Sequence, residues 1–315
     1  MKAGLFVHTR KEGWRMSVEA LSIHQNTYQH LITKFEPEYG IMWYSMDPKP
    51  RPCITIELLQ SVRRVQMVIE QVNMRERNAN GECLIRYGIL ASNSPGVYSL
   101  GGDMKLFQKL IADKNRNALR DYAVACIECV FSNYTLSLTT PVTTIGLVKG
   151  DALGGGFEAA LSCNVIIAEE GARFGFPEVL FNLFPGMGAY SLLSRRLDAR
   201  RAEQIIISGN IYSAAELHDM GVVDVLAKKG DGEKALYEYV AKHSRKRNAL
   251  QAFHKVRQTY NPITHGELMD AALIWVETAL RLGSKDLRLM ERLVKAQEKV
   301  SNHLPVAGVG GGGYV

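Results

Sequence analysis

No apolar run in the sequence approaches the roughly 20 residues needed to cross a bilayer, and the short LFV patch near the start is broken by charges. A membrane span is therefore not expected. The five cysteines, Cys53, Cys83, Cys126, Cys129 and Cys163, are odd in number and scattered, which fits a reducing compartment better than a disulfide framework. The chain is accordingly expected to be soluble and cytoplasmic. Cys126 and Cys129 have CxxC spacing, but neither a second pair nor nearby histidines follow, so helix packing is favoured over a zinc site. The sequence also lacks GxxxxGK[ST], HExxH and GxSxG, and the glycine turn GDALGGG does not match GxGxxG, which argues against a phosphate loop, a zinc protease, a serine-hydrolase elbow and a dinucleotide turn there. Of the eight histidines, His24, His30 and His254 lie among helix-like residues and read as solvated or capped. No metal and no cofactor are expected.

What remains is a chain of 315 residues, 46% hydrophobic, with 38 Lys plus Arg against 32 Asp plus Glu and a formal charge of +6. That length allows one large core or two smaller ones. Basic clusters at Arg195-Arg196, Arg200-Arg201 and Arg245-Lys246-Arg247 are compatible with solvated helix faces, docking of an acidic carrier, or nucleic acid; the mild overall charge argues against the last. The segments YGIMWYSM, CLIRYGILAS, PVTTIGLVKG, NVIIAEE and ARFGFPE read as strands, ITIELLQSVRRVQMVIEQV as an amphipathic helix, and SLGGDMKLFQKLIAD and DALGGGFEAALSC as glycine turns that open helices, with Asp103 placed to cap the first. Alternation of this kind predicts an α/β fold with mostly parallel strands. After about residue 236 only helical patterns remain. Residues 1–16 and 304–315 are expected to be a flexible leader and tail, 17–235 an α/β core, and 236–303 a helical section that serves oligomerisation and the substrate pocket.

Two glycine turns, LGGD at 100–103 and LGGGFE at 153–158, each join a strand to a helix and leave amide donors at its start. Read singly, either is an ordinary tight turn. Together, one N–H from each aimed at a common point would form an oxyanion hole, where a single donor is typically worth about 2.7–4 kcal/mol. Glu158 follows the second turn inside its helix and Glu178 ends FGFPE. Each is compatible with a helix-start acid, yet two carboxylates in different protonation states are also what removal of an α-proton and departure of a β-hydroxyl require. The residues point to proton transfer at carbon beside an enolate-like oxyanion.

The stretch GDALGGGFEAALSCNVIIAEEGARFGFPEVLFNLFPGMGAYSLLSRR resembles the central signature of the crotonase (enoyl-CoA hydratase/isomerase) superfamily, and SLGGDMKLF looks like its first oxyanion segment; the similarity runs from about Tyr39 to about residue 300. The resemblance implies a crotonase-like ββα spiral core, oxyanion donors at Gly102 and Gly155, and catalytic glutamates at Glu158 and Glu178. It also implies subunits assembled as a homotrimer or a dimer of trimers. Within the superfamily, PKPRPC, LGGDMKLF and EVLFNLFPGMGAYSLLSRR are most similar to bacterial diffusible signal factor (DSF) synthases. That likeness implies a bifunctional enzyme that dehydrates a 3-hydroxyacyl group on acyl carrier protein and then hydrolyses the thioester, releasing a cis-2-unsaturated fatty acid signal for quorum sensing. The receiver domain of a sensor kinase is an implied protein partner. Where coenzyme A hydratases have an asparagine-containing segment after their first strand, this chain has RPCIT, so the carrier, acyl carrier protein or coenzyme A, stays open. In MDAALIWVETAL, Met269, Leu273, Trp275 and Val276 are candidates to line the acyl tunnel, with core or subunit packing as the alternative; Trp275 lies where the family places a pocket residue. Two rival functions are an enoyl-CoA hydratase or acyl-CoA hydrolase of fatty acid metabolism, and a non-catalytic member of the fold that regulates a sensor kinase. Which glutamate is acid and which is base depends on burial that the sequence does not display.

Overall fold

A computed structural model describes residues 28–80 and 83–302. The expected leader and tail, and His24, lie outside the described residues. The chain forms an antiparallel hairpin of β1 (Leu31–Glu36) and β2 (Ile41–Met46), then a long helix α1 (Ile56–Asn80). Three strand–strand–helix units follow: β3 (Tyr87–Ser92), β4 (Val97–Ser99) and α2 (Met104–Ala112); β5 (Thr143–Val148), β6 (Asp151–Leu153) and α4 (Gly155–Leu161); β7 (Val165–Glu169), β8 (Arg173–Gly175) and a 3-10 helix (Pro177–Phe181). Helix α3 (Arg116–Thr139) connects the first unit to the second. The first strand of each unit joins a six-stranded sheet of order β1-β2-β3-β5-β7-β10, where β10 is Val225–Ala227, parallel from β2 onward. The second strand of each joins a smaller sheet of order β4-β6-β8-β9, where β9 is Ile211–Ser213. This is the crotonase-type ββα arrangement.

The parallel strands are covered on both faces, which explains why β5 (TTIGLV) and β7 (VIIAE) are apolar and buried throughout their length instead of alternating. One face of the large sheet meets the main core, to which α1, α3 and α4 contribute Val65, Val130 and Leu161. On the other face, Ile41, Ile89, Ile145 and Ile167 are capped by Leu236 and Val240 of α8 (Gly232–Ser244). Short elements α5 (Ala189–Leu193), α6 (Ala199–Ser208), β9 (Ile211–Ser213), α7 (Ala214–Asp219) and β10 (Val225–Ala227) lead to α8. The chain then continues through α9 (Arg247–Tyr260), α10 (His265–Leu280) and α11 (Ser284–Asn302).

Several elements differ from the sequence reading. DAL, expected as part of a turn, is strand β6, because it pairs in parallel with both β4 and β8. Strand β1 carries the mixed sequence LITKFE with only Leu31 and Thr33 buried, and its partner β2 holds it in register. Helix α3 has apolar residues spread around its axis because it packs against α1, α9 and α10 at once, so no single amphipathic stripe announces it.

Buried polar groups fix the relation of helices to sheet. Tyr44 Oη donates to Asn133 Oδ1 (2.7 Å), and Asn133 Nδ2 donates to Ser162 Oγ (2.9 Å), linking β2, α3 and the end of α4 through the interior. Asn73 on α1 clasps the peptide of Ile85, its Nδ2 donating to the Ile85 carbonyl (2.8 Å) and its Oδ1 accepting from the Ile85 amide (2.9 Å). Asn73 is buried, so Asn73→Ala leaves a backbone donor and acceptor without partners, at about 1–3 kcal/mol each. The expected loss of stability is on the order of 3 kcal/mol, read from the urea midpoint, whereas a change below about 1 kcal/mol counts against the clasp.

Candidate active site

The first glycine turn is held from two sides. Leu100 N donates to Pro52 O and Ile54 N to Gly101 O, both at 2.8 Å, while Tyr122 Oη donates to Ile54 O at 2.8 Å. Asp103 closes the turn as the N-cap of α2: its Oδ1 accepts from Lys105 N (3.1 Å) and Leu106 N (3.2 Å) and is paired with Arg51 (2.8 Å). Gly101 sits at φ +88, and a Cβ there would stand 2.9 Å from Leu153 O and 3.2 Å from Gly155 N. Only glycine lets the two turns approach this closely.

In the second turn, Gly154 N donates to Gly175 O (2.8 Å) and Gly155 begins α4. A Cβ on Gly155 would lie 3.6 Å from the Gly102 nitrogen. Among the described residues neither amide has a backbone acceptor, and both glycines line the same pocket. Two unused N–H groups thus meet at its wall, one of them at a helix N-terminus.

Glu158 and Glu178 line this pocket too. Glu158, on α4, is 1% exposed, and its Oε1 accepts from the amides of Met187 (2.7 Å) and Ala189 (2.9 Å). Burial pushes its carboxyl well above the usual carboxylate range, and the charge of Glu178 pushes the same way, against the two amides that favour the ionised form. Glu178, second residue of the 3-10 helix, is buried with Oε2 unpartnered among the described residues. Burial raises it to about 7, opposed by a backbone hydrogen bond. Its Oε1 occupies the space a side chain at Gly154 would need. Two carboxyls of unequal environment therefore face one cavity beside two amide donors, a set that can move protons at adjacent carbons while holding an oxyanion. Cys126 also lines the pocket, but burial raises its thiol well above its ordinary range, so it is a neutral wall and not a thiolate. No cluster of three or more metal-ligating side chains occurs among the described residues.

The enoyl-CoA hydratase/isomerase family profile matches residues 76–271. The chain belongs to that family. Gly102, Gly155, Glu158 and Glu178 all fall within the matched span. The chain is similar to probable enoyl-CoA hydratase 2, mitochondrial, of Arabidopsis thaliana, with 30% identity over 202 residues, 62% of this chain and 60% of that protein. It is also similar to enoyl-CoA isomerase/hydratase fer4 of Mycosarcoma maydis, with 29% identity over 184 residues, 57% of this chain and 62% of that protein. The matched region thus spans about three fifths of these curated relatives. Among solved structures, enoyl-CoA hydratase from Bacillus halodurans superposes with a TM-score of 0.70 at 18% identity, over 84% of this chain and 100% of that one. Pseudomonas aeruginosa DspI superposes with a TM-score of 0.63 at 20% identity, over 75% of this chain and 86% of that one. These solved structures share the fold.

The structure brings five of the eight residues singled out from the sequence to this family pocket: Gly102, Gly155, Glu158, Glu178 and Trp275. Met269, Leu273 and Val276 do not line it. Val276 is buried in the core and Met269 packs against the core's edge, while Leu273 is half-buried. At about 100° per residue only one face of α10 meets the pocket, and Trp275 takes it, its ring packed on Gly186. The sequence reading missed the amides of Met187 and Ala189; their signal was the GMG of FPGMGAY, where Gly188 adopts φ +103. It also missed the aromatic wall made by Phe107 with Tyr122 and with Trp275, at centroid distances of 4.9 and 5.1 Å.

Glu178 ties the site to stability. The unfolded chain ionises near 4.5 and the folded chain near 7. Between those values the native state retains a proton that the unfolded state has lost, so the Glu178 contribution to stability is fully present below pH 4.5 and is lost as pH rises through 7. Glu178→Gln removes the buried charge. Above pH 7.5 that variant is expected to be more stable than wild type by on the order of 2–3 kcal/mol, with the gap closing toward pH 5. Urea titrations at the two pH values measure it, and a gap that does not change with pH contradicts the burial argument.

Proposed function

We propose that this chain is a bifunctional enzyme acting on 3-hydroxyacyl thioesters of acyl carrier protein: a dehydratase across C2 and C3 and then a thioesterase, releasing a cis-2-unsaturated fatty acid of the DSF class. The observation that carries this reading is the pair of buried, unequal carboxyls converging with two unused amides on one pocket. The resemblance of PKPRPC, LGGDMKLF and EVLFNLFPGMGAYSLLSRR to DSF synthases supports the product class, and the formal charge of +6 suits an acidic carrier.

In this reading the thioester carbonyl oxygen rests against the Gly102 and Gly155 amides. Glu178, ionised near neutral pH, takes the C2 proton, and the electron pair passes to the carbonyl oxygen, where the two N–H groups hold the enolate. The C3–O bond then breaks. Glu158 supplies the proton that turns the departing hydroxyl into water; its Oε1 is committed to two amides, so Oε2 is the oxygen that carries that proton. The step leaves Glu158 ionised and Glu178 protonated. For hydrolysis, Glu158 takes a proton from water as its oxygen attacks the carbonyl carbon, the same amides hold the tetrahedral oxyanion, and Glu178 protonates the leaving thiolate. Free acid and carrier thiol are released, and both carboxyls return to their starting states.

The proposal includes subunit assembly as a homotrimer or a pair of trimers. Phe253, Val256 and Tyr260, one side of α9, are exposed at helical spacing and offer an apolar stripe for such contact.

Matched 3-hydroxyacyl thioesters of acyl carrier protein and coenzyme A, with products followed by mass spectrometry, test the activity. Free 2-unsaturated acid forming faster from the carrier-protein thioester is expected. Interconversion of hydroxyacyl and enoyl coenzyme A without free acid overturns the thioesterase half in favour of an ordinary hydratase. Glu158→Ala and Glu178→Ala are each expected to lower turnover by on the order of 10²–10⁴-fold. The rate is expected to rise through about pH 7 as Glu178 ionises and to fall at higher pH as Glu158 loses its proton; a flat profile from pH 5 to 9 contradicts the assignment of roles.

A further inference from the structure

A second cavity shares Met187 with the active-site pocket and is walled almost wholly by carbon: Ile54, Val62 and Leu90 from the α1 and β3 side, Cys129 and Val130 from α3. The two cavities run along the same helices, since Cys126 faces the first and Val130, one turn on, faces the second. Met187 lines both. Its sulfur would stand 2.8 Å from a Cβ on Gly155, and Ile54 Cδ1 3.2 Å from the same point, so these two flexible side chains form the partition. Elsewhere the wall of the active-site pocket is aromatic, Phe107 packing edge-on with both Tyr122 and Trp275, and Trp275 seated on Gly186.

We infer that the acyl tail of the substrate passes Met187 into this second cavity, and that its walls set the preferred chain length. The inference rests on the thioester reading above and adds the substrate's shape: an unbranched chain too long for the first pocket alone. Methionine suits the partition because its three side-chain torsions let it move aside without moving the backbone. An apolar room separated from a catalytic pocket by one flexible side chain has a hydrocarbon tail as its natural occupant. The room closes at Gln66, which is 1% exposed; its Nε2 donates to Cys129 O (3.0 Å), and its Oε1 has no partner among the described residues. A hydrocarbon tip pressed against that oxygen would keep it from any donor, so Gln66 marks a polar stop to the tail.

The test uses S-butyl, S-octyl and S-dodecyl pantetheine thioethers, which carry the arm common to both carriers and cannot be hydrolysed. Binding of each to the full-length protein is measured by calorimetry. Wild-type affinity is expected to rise at least 10-fold from butyl to octyl, and Val130→Phe, which fills the second cavity, is expected to lower octyl affinity at least 10-fold while leaving butyl affinity within 2-fold. Val62→Phe fills the room from the opposite wall and serves if Val130→Phe does not fold. Equal affinity of wild type for all three lengths, or loss of butyl and octyl binding together in a folded variant, overturns the inference. Because binding is read without turnover, failure of the proposed reaction would show separately, as absent product with the length dependence intact.

Discussion

Two carboxyl groups held out of water within one pocket are the constraint around which the molecule is arranged. An ionised carboxylate in an apolar interior is expensive unless amides or a proton compensate it, and here both devices operate. Glu158 receives the amides of Met187 and Ala189; Glu178 has its ionisation raised to about 7. The turn containing Met187 therefore has to come back over α4, and Gly154 has to lack a side chain so that Glu178 can lie against the backbone. The strained glycine turns and the tight return of the chain are intelligible as responses to these two acids.

The ββα repeat explains how residues far apart in sequence reach one place. Each unit ends its second strand in the small sheet and then turns: Gly102 follows β4, Gly155 follows β6 and Glu178 follows β8. Because β4, β6 and β8 are neighbours and parallel, the three turns emerge on the same side, about one strand spacing apart. Convergence of the two glycine amides with Glu178 on one pocket thus follows from sheet order, with α4 adding Glu158 one turn into the helix.

Much of this was legible in the sequence, and the limits have physical causes. Glycine turns, buried parallel strands and carboxylates after FGFP and GGGF leave local marks, since each depends on backbone conformation or on a residue type within a few positions. Helix α3 left no such mark because it is surrounded, and β6 left none because three residues next to three glycines are a strand only through their neighbours. The side proposed for the acyl tail was least legible. Of four apolar candidates on α10, only Trp275, the one that the family resemblance set apart, faces the pocket, and most residues around the second cavity belong to α1, β3 and α3, elements whose meeting no local pattern encodes.

Met187 takes part twice in this arrangement, by its peptide nitrogen on Glu158 and by its thioether between the two rooms. A tail that displaces the sulfur pulls on the same residue that aims the acid. Remote binding energy then has a mechanical route to the reacting carbons, so substrate length would register in the speed of turnover as well as in the grip on the substrate.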